Sequence, residues 1–192
     1  EGLFTPVSVS DITDLATLAA LFKSDTNYGV WPEPVTVSDG KLAIGDRKIA
    51  YFDSSVALPD WGALGVDVVL DCTGRATKRE GAQAHLDNGA KRVLVSAVSK
   101  SMQDCDAVIL PGINFKSYSP ADHHIVSMGS CTTNALAPVV KVLLENFGIE
   151  QGFFSTVHAY TNTQSLTDQP MKHRRDSWAA AENIIPSSSG AA

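Results

Sequence analysis

Cys131 stands in the run Ser130-Cys131-Thr132-Thr133-Asn134, just ahead of an apolar stretch with helical spacing that begins at Ala135. A thiol at the opening of a helix lies among amide N–H groups and at the positive end of the helix dipole, and both favour its thiolate. Thiolate is the nucleophilic form of cysteine, so Cys131 is a candidate covalent catalyst. A lone cysteine in such a place is, by its type alone, more often a small packing residue than a nucleophile. His158, inside an expected strand, reads by itself as a satisfied structural group. Asp11 is the second candidate. A carboxylate just past a strand is what binds the ribose hydroxyls of a dinucleotide, and its default reading is the N-cap of the helix that starts near Asp14.

Composition narrows the chemistry. The 192 residues are 44% hydrophobic and 19% charged, which is ordinary globular usage and long enough for one domain plus part of another. A net charge of −6 argues against a nucleic-acid surface, because phosphate backbones need a concentrated basic face. The small basic group Lys172-His173-Arg174-Arg175 suits a small anion better than a polymer. Three cysteines, Cys72, Cys105 and Cys131, are too few and too scattered for a disulfide framework or a zinc cluster, so no metal is expected. A reducing, cytoplasmic compartment fits them best. No apolar run reaches the roughly 18 residues that span a bilayer, so no membrane partner is expected.

The elements that must position these residues can be read from periodicity. Pro6 to Ser10 reads as a strand and Asp14 to Phe22 as a helix. Val35 to Val37, Lys41 to Ile44 and Lys48 to Phe52 read as short strands separated by Ser38-Asp39-Gly40 and Gly45-Asp46 turns. Val66 to Leu70 is an apolar run of the kind buried on both faces. A helix is expected from about Lys78 to Asn88, then strands at Arg92 to Val95, Ala107 to Leu110 and His124 to Ser127. Alternating strands and helices imply a doubly wound parallel sheet, with ligands at the carboxyl ends of its strands. Asp11, Thr73 and Ser96 fall at such ends. From Cys131 the pattern changes to a long helix reaching about Phe147, followed by a strand from Gly152 to Ala159.

The expected fold is therefore α/β. An incomplete doubly wound, Rossmann-like nucleotide domain at residues 1–129 is followed by the start of an α+β catalytic domain at residues 130–192. A Gly-rich phosphate loop about 20 residues before Asp11 would precede Glu1, and the last residues bring no terminating element, so the chain is read as an internal fragment and expected to be inactive alone.

With these runs assembled, the chain resembles phosphorylating glyceraldehyde-3-phosphate dehydrogenase. SCTTN, the following ALAPVVKVLLENFGI, TVHAYTNTQ (Thr156 to Gln164), Arg174-Arg175 and NIIPSSSGAA (Asn183 to Ala192) carry the resemblance. Weaker matches are SDITD (Ser10 to Asp14), WGALGVDVVLDCTGR (Trp61 to Arg75) and ILPGIN (Ile109 to Asn114). The resemblance implies that Cys131 attacks the aldehyde of glyceraldehyde 3-phosphate, that the adduct gives a hydride to NAD, and that inorganic phosphate splits the thioester to 1,3-bisphosphoglycerate, in glycolysis or gluconeogenesis. It implies His158 as the base, Thr161 as a ligand of the substrate phosphate, and Ser130, Thr132, Arg175, Ser189 and Gly190 as ligands of the attacking phosphate. It also implies Asp11, Thr73, Gly74 and Ser96 as cofactor contacts, and a cytoplasmic homotetramer. The Asp11 carboxylate would repel a 2′-phosphate and so favour NAD over NADP.

Some positions depart from the common pattern. Ala135 stands where many relatives have a second cysteine, Ser10 where Asn is frequent and Ala76 where Phe is frequent. Thr163 replaces a frequent Asp and Ser189 a frequent Thr, and Gln169 to Asp176 is a residue shorter than in many relatives. Erythrose-4-phosphate dehydrogenase is the alternative within the same family. A cysteine hydrolase using Cys131 and His158 without nucleotide, and a purely binding or structural piece, are the readings from other classes.

Overall fold

The computed structural model describes residues 3–191; Glu1, Gly2 and Ala192, at the outer ends of the two expected domains, lie outside the described residues. In chain order the elements are β1 (Ser8–Asp11), α1 (Leu15–Lys23), β2 (Ser24–Asp25), β3 (Gly29–Val30), β4 (Val35–Ser38), β5 (Lys41–Ile44) and β6 (Arg47–Asp53). There follow β7 (Val68–Asp71), α2 (Arg79–Asp87), β8 (Arg92–Val95), β9 (Ala107–Val108), β10 (Ile125–Ser127) and α3 (Cys131–Phe147).

The strands form one two-stranded pair, β2 with β3, and two four-stranded sheets. One has the order β1-β6-β5-β4, with β1 parallel to β6 and the rest antiparallel. The other, β7-β8-β10-β9, is parallel throughout. Each sheet buries one face under a helix. Ala19 of α1 packs with Leu42, Ile44 and Ile49, while Ala82 of α2 packs with Val93, Val95, Ile125 and Cys105. Cys105 is thus a packing residue, and Cys72 is exposed.

Three expectations are corrected. The Val66–Leu70 run is not covered on both faces: Val69 and Asp71 are buried, whereas Val68 is 42% and Leu70 58% exposed. The α2 side of this sheet is packed, whereas the opposite side is open only along β7, since Val126 of β10 is buried there. No strand forms over Gly152–Ala159, which is exposed and irregular. An extended segment becomes a strand only by pairing its amides and carbonyls with a neighbour, and none lies alongside it among the described residues. The cap of α1 is Asp14, which accepts the Thr17 amide at 2.9 Å, and not Asp11. No helix of the described residues is long and apolar enough to cross a membrane.

The end of α2 is fastened by a backbone contact that only glycine permits. Gly89 has φ +95°, and a Cβ there would lie 2.6 Å from the Gly62 nitrogen and 2.7 Å from its Cα. Gly89→Ala therefore meets both left-handed strain and a backbone clash. The full-length variant is expected to lose at least about 2 kcal/mol in denaturant unfolding.

Candidate active site at the start of the long helix

The position of Cys131 is fixed by hydrogen bonds on both sides of it. The buried Ser127 hydroxyl at the end of β10 donates to the Ala97 carbonyl at 2.8 Å and accepts the Gly129 amide at 3.1 Å. Ser130 is the N-cap of α3, its hydroxyl accepting the Thr133 amide at 2.9 Å and pairing with the Thr133 hydroxyl at 2.8 Å. Asn134 closes the turn from the other side, its amide donating to the Met128 and Ser130 carbonyls at 2.8 Å each. Cys131 is consequently held as the first residue of the helix, exposed, among amides without helical partners.

The Cys131 Sγ lies 3.2 Å from His158 Nε2, although no strand carries the histidine. The other ring nitrogen settles the proton. Nδ1 is 2.6 Å from the Ala159 carbonyl, which can only accept, so Nδ1 carries hydrogen and Nε2 faces the sulfur free to take its proton. The His158 hydrogen bond lowers the Cys131 thiol below its ordinary value; slight burial opposes this, and the Thr132 amide and hydroxyl add to it. The Ala159 carbonyl and then the Cys131 sulfur raise His158 above the ordinary imidazole value. The two shifts move toward each other, and both favour the thiolate–imidazolium form of the pair.

The remaining expected substrate ligands lie in loops. The Thr161 amide donates to Gln164 Oε1 at 3.1 Å, and its hydroxyl pairs with that of Thr163 at 3.0 Å. Thr161 helps line a cavity of about 440 Å³ with Tyr160, Asn162 and Gln164, and neither Cys131 nor His158 lines it. Arg175 is exposed in the 3-10 turn Arg174–Ser177, and Ser189 and Gly190 are exposed in the terminal loop. No hydrogen bond among the described residues joins Thr161, Arg175, Ser189 or Gly190 to Cys131 or His158. Thr132 helps to lower the Cys131 thiol, and the Ser130 hydroxyl is engaged as the helix cap.

On the nucleotide side, Asp11 ends β1 and its carboxylate accepts the Thr13 amide at 2.8 Å, with no cation paired to it among the described residues. Thr73 and Gly74 form the turn after β7, and Ser96 follows β8. The Thr73 amide and hydroxyl both donate to Asp71 Oδ1, at 3.0 and 2.8 Å, while the Ser96 amide donates to the Asp71 carbonyl at 3.0 Å. Gly74 has φ +69° and open space where a Cβ would stand. An unpaired carboxylate and two strand-end turns offering backbone groups suit a nucleotide's ribose and polar edges. Sequence reasoning missed the buried residues behind these turns. Asp71 Oδ2 lies 3.2 Å from His85 Nε2, and Trp61 Nε1 donates to His85 Nδ1 at 3.2 Å. Residues so far apart in the chain carry no mutual spacing signal.

Comparison with known proteins bears on the family of the chain. Residues 3–79 match the family model described as glyceraldehyde 3-phosphate dehydrogenase, NAD binding domain, and residues 130–192 match the C-terminal domain of the same family. The chain is 46% identical over 187 residues to glyceraldehyde-3-phosphate dehydrogenase of Streptomyces coelicolor, covering 97% of this chain and 55% of that protein. It is 46% identical over 189 residues to the Geobacillus stearothermophilus enzyme of the same name, with the same two coverages. The Chlamydia muridarum protein of that name is 45% identical over 192 residues, 97% of this chain and 56% of that protein. The chain thus spans about half the length of the curated relatives it matches.

Proposed function

Because the chain belongs to the glyceraldehyde 3-phosphate dehydrogenase family, we propose that the full-length protein oxidises and phosphorylates glyceraldehyde 3-phosphate with NAD and inorganic phosphate. The observation that carries this reading is the 3.2 Å contact between Cys131 Sγ and His158 Nε2. The Cys131 thiolate adds to the aldehyde carbon, and the imidazolium of His158 protonates the new oxygen. His158 then takes that proton back as the hydride departs, leaving an acyl thioester on Cys131. NAD, when bound, supplies the hydride acceptor. Inorganic phosphate attacks the thioester, its oxygen bonding to the acyl carbon as the sulfur leaves as thiolate. Thr161 holds the substrate phosphate, while Arg175, Ser130, Thr132, Ser189 and Gly190 hold the attacking one. Asp11, Thr73, Gly74 and Ser96 hold the dinucleotide.

We place the division between nucleotide and catalytic domains at residues 129 and 130, where the chain leaves the parallel sheet and enters α3. A cytoplasmic homotetramer without nucleic-acid or membrane partners completes the proposal. Supplying glyceraldehyde 3-phosphate and erythrose 4-phosphate at equal concentration to the full-length protein, with NAD and phosphate, tests the reading. Faster phosphate-dependent NADH formation with glyceraldehyde 3-phosphate supports it, and a preference for the four-carbon sugar overturns the substrate. Lack of saturable NAD binding returns the Cys131–His158 pair to hydrolase chemistry.

Asp11 sets a further expectation. A carboxylate near a 2′-phosphate repels it, and like-charge contacts cost up to several kcal/mol. Asp11→Asn should therefore lower the ratio of NAD to NADP kcat/KM by at least about tenfold. An unchanged ratio would remove Asp11 from the ribose site.

A further inference from the structure

Behind the two strand-end turns lies a buried polar chain that the reaction does not use. Trp61 is 5%, Asp71 6% and His85 8% exposed, so each polar atom there must find a protein partner. Indole nitrogen can only donate, so His85 Nδ1, which receives it at 3.2 Å, carries no proton. The proton of neutral His85 is then on Nε2 and points at Asp71 Oδ2, 3.2 Å away. The contact is a hydrogen bond from a neutral ring to a carboxylate. Trp61 thereby selects the tautomer in which His85 can donate.

Asp71 passes this constraint to the surface. One carboxylate oxygen is taken by His85, and the other receives both the amide and the hydroxyl of Thr73. The Thr73 hydroxyl in turn accepts the Arg75 amide at 3.1 Å, closing the turn around Gly74. The main-chain carbonyl of Asp71 receives the Ser96 amide. One residue therefore fixes both turns expected to meet the dinucleotide. Were the carboxylate free to rotate, Thr73 would lose its two bonds together. The Thr73 hydroxyl has its only proton committed to Asp71, so what the turn offers a ligand is its backbone shape.

We propose that Trp61 and His85 are positioning residues for the dinucleotide, holding the Asp71 carboxylate so that the Thr73-Gly74 and Ser96 turns are set before the cofactor arrives. The proposal rests on the reading of Thr73, Gly74 and Ser96 as cofactor contacts. Four full-length variants test it by NAD titration, with kcat at saturating NAD and the KM for glyceraldehyde 3-phosphate measured alongside. Thr73→Val, which removes the turn's side-chain bonds, should raise the NAD Kd by about tenfold. His85→Asn can still accept from Trp61 but does not reach Asp71, and should raise the Kd to a similar extent. His85→Gln places its amide N–H near the Nε2 position and should restore the Kd to within about threefold of the unaltered protein. Trp61→Phe frees the tautomer and should weaken NAD by about threefold. In the Trp61 and His85 variants, kcat at saturating NAD and the aldehyde KM should hold.

A Thr73→Val effect on NAD without a His85→Asn effect overturns the relay and leaves the cofactor reading intact. Equal losses in the Asn and Gln variants also overturn it, because the bond to Asp71 would then carry nothing. No effect of Thr73→Val removes the cofactor reading of that turn and the proposal together. Should His85→Asn fail to fold, an unchanged NAD Kd in Trp61→Phe overturns the relay by itself.

Discussion

Replacing Cys131 with serine in the full-length protein should lower phosphate-dependent NADH formation by at least about a thousandfold. The expectation follows from what the site does to this particular atom. The hydrogen bond to His158, the Thr132 amide and hydroxyl, and the first-turn amides of α3 all favour negative charge on the sulfur. A thiol starts close enough to neutrality for such shifts to produce a reactive anion. A hydroxyl starts many units higher, so one histidine and a helix end leave it almost wholly protonated. The acyl intermediate also changes from thioester to ester, whose alkoxide leaves less readily when phosphate attacks. Ser130 still caps the helix and serine is close in size, so the fold and the strand-end turns are undisturbed. NAD titration should accordingly give a Kd within about threefold of the unaltered protein. Turnover retained in Cys131→Ser would mean that the sulfur is not the nucleophile.

What could be read without coordinates follows the range of the forces involved. The bounds of α3 are legible because the signals are local: a serine cap, apolar spacing from Ala135, and Gly148 at φ +72° to stop the helix. The strand Arg92–Val95 is legible because its apolar run is short and cleanly bounded. The Gly152–Ala159 run has equally good strand composition and forms none, because pairing is supplied by a neighbour and not by the segment. The β2–β3 hairpin escapes periodicity for the opposite reason. It is two residues per strand, held by the Asp25 carboxylate accepting the Asn27 and Tyr28 amides. Asp11 and Asp14 are equally plausible caps by type, and only the backbone decides between them. Cys131 stands out from its own surroundings, but its partner His158 emerges only from the resemblance, since sequence separation says nothing about an interatomic distance. His85 had no such support, and an ordinary helix histidine proved to be the centre of a buried hydrogen-bond chain.

His158→Gln should cost about 10²- to 10⁴-fold in kcat, the usual contribution of a placed acid–base group. It should also displace the pH dependence of Cys131 alkylation. In the intact pair, the thiol ionises below its ordinary value and the imidazole keeps its proton above its own. Each shift raises the share of the thiolate–imidazolium form at the expense of the neutral pair. The reactive form appears as pH rises through the lowered thiol value, and it needs no hydroxide to reach it. Removing the imidazole deletes the largest influence that lowers the thiol, while slight burial, which raises it, remains. The alkylation curve must then move to higher pH, toward that of an unassisted cysteine, with Thr132 and the helix start retaining part of the effect. Iodoacetamide labelling of the full-length protein from pH 5 to 10 reads the displacement directly: slower at neutral pH, converging at the alkaline end. Glutamine retains a polar group at that distance but cannot carry the positive charge, so the comparison isolates charge from hydrogen bonding. Superimposable curves for the two proteins would mean that the 3.2 Å contact does not ionise the sulfur. The thiolate would then owe its reactivity to the helix start alone, and the acid–base role would have to pass to another group.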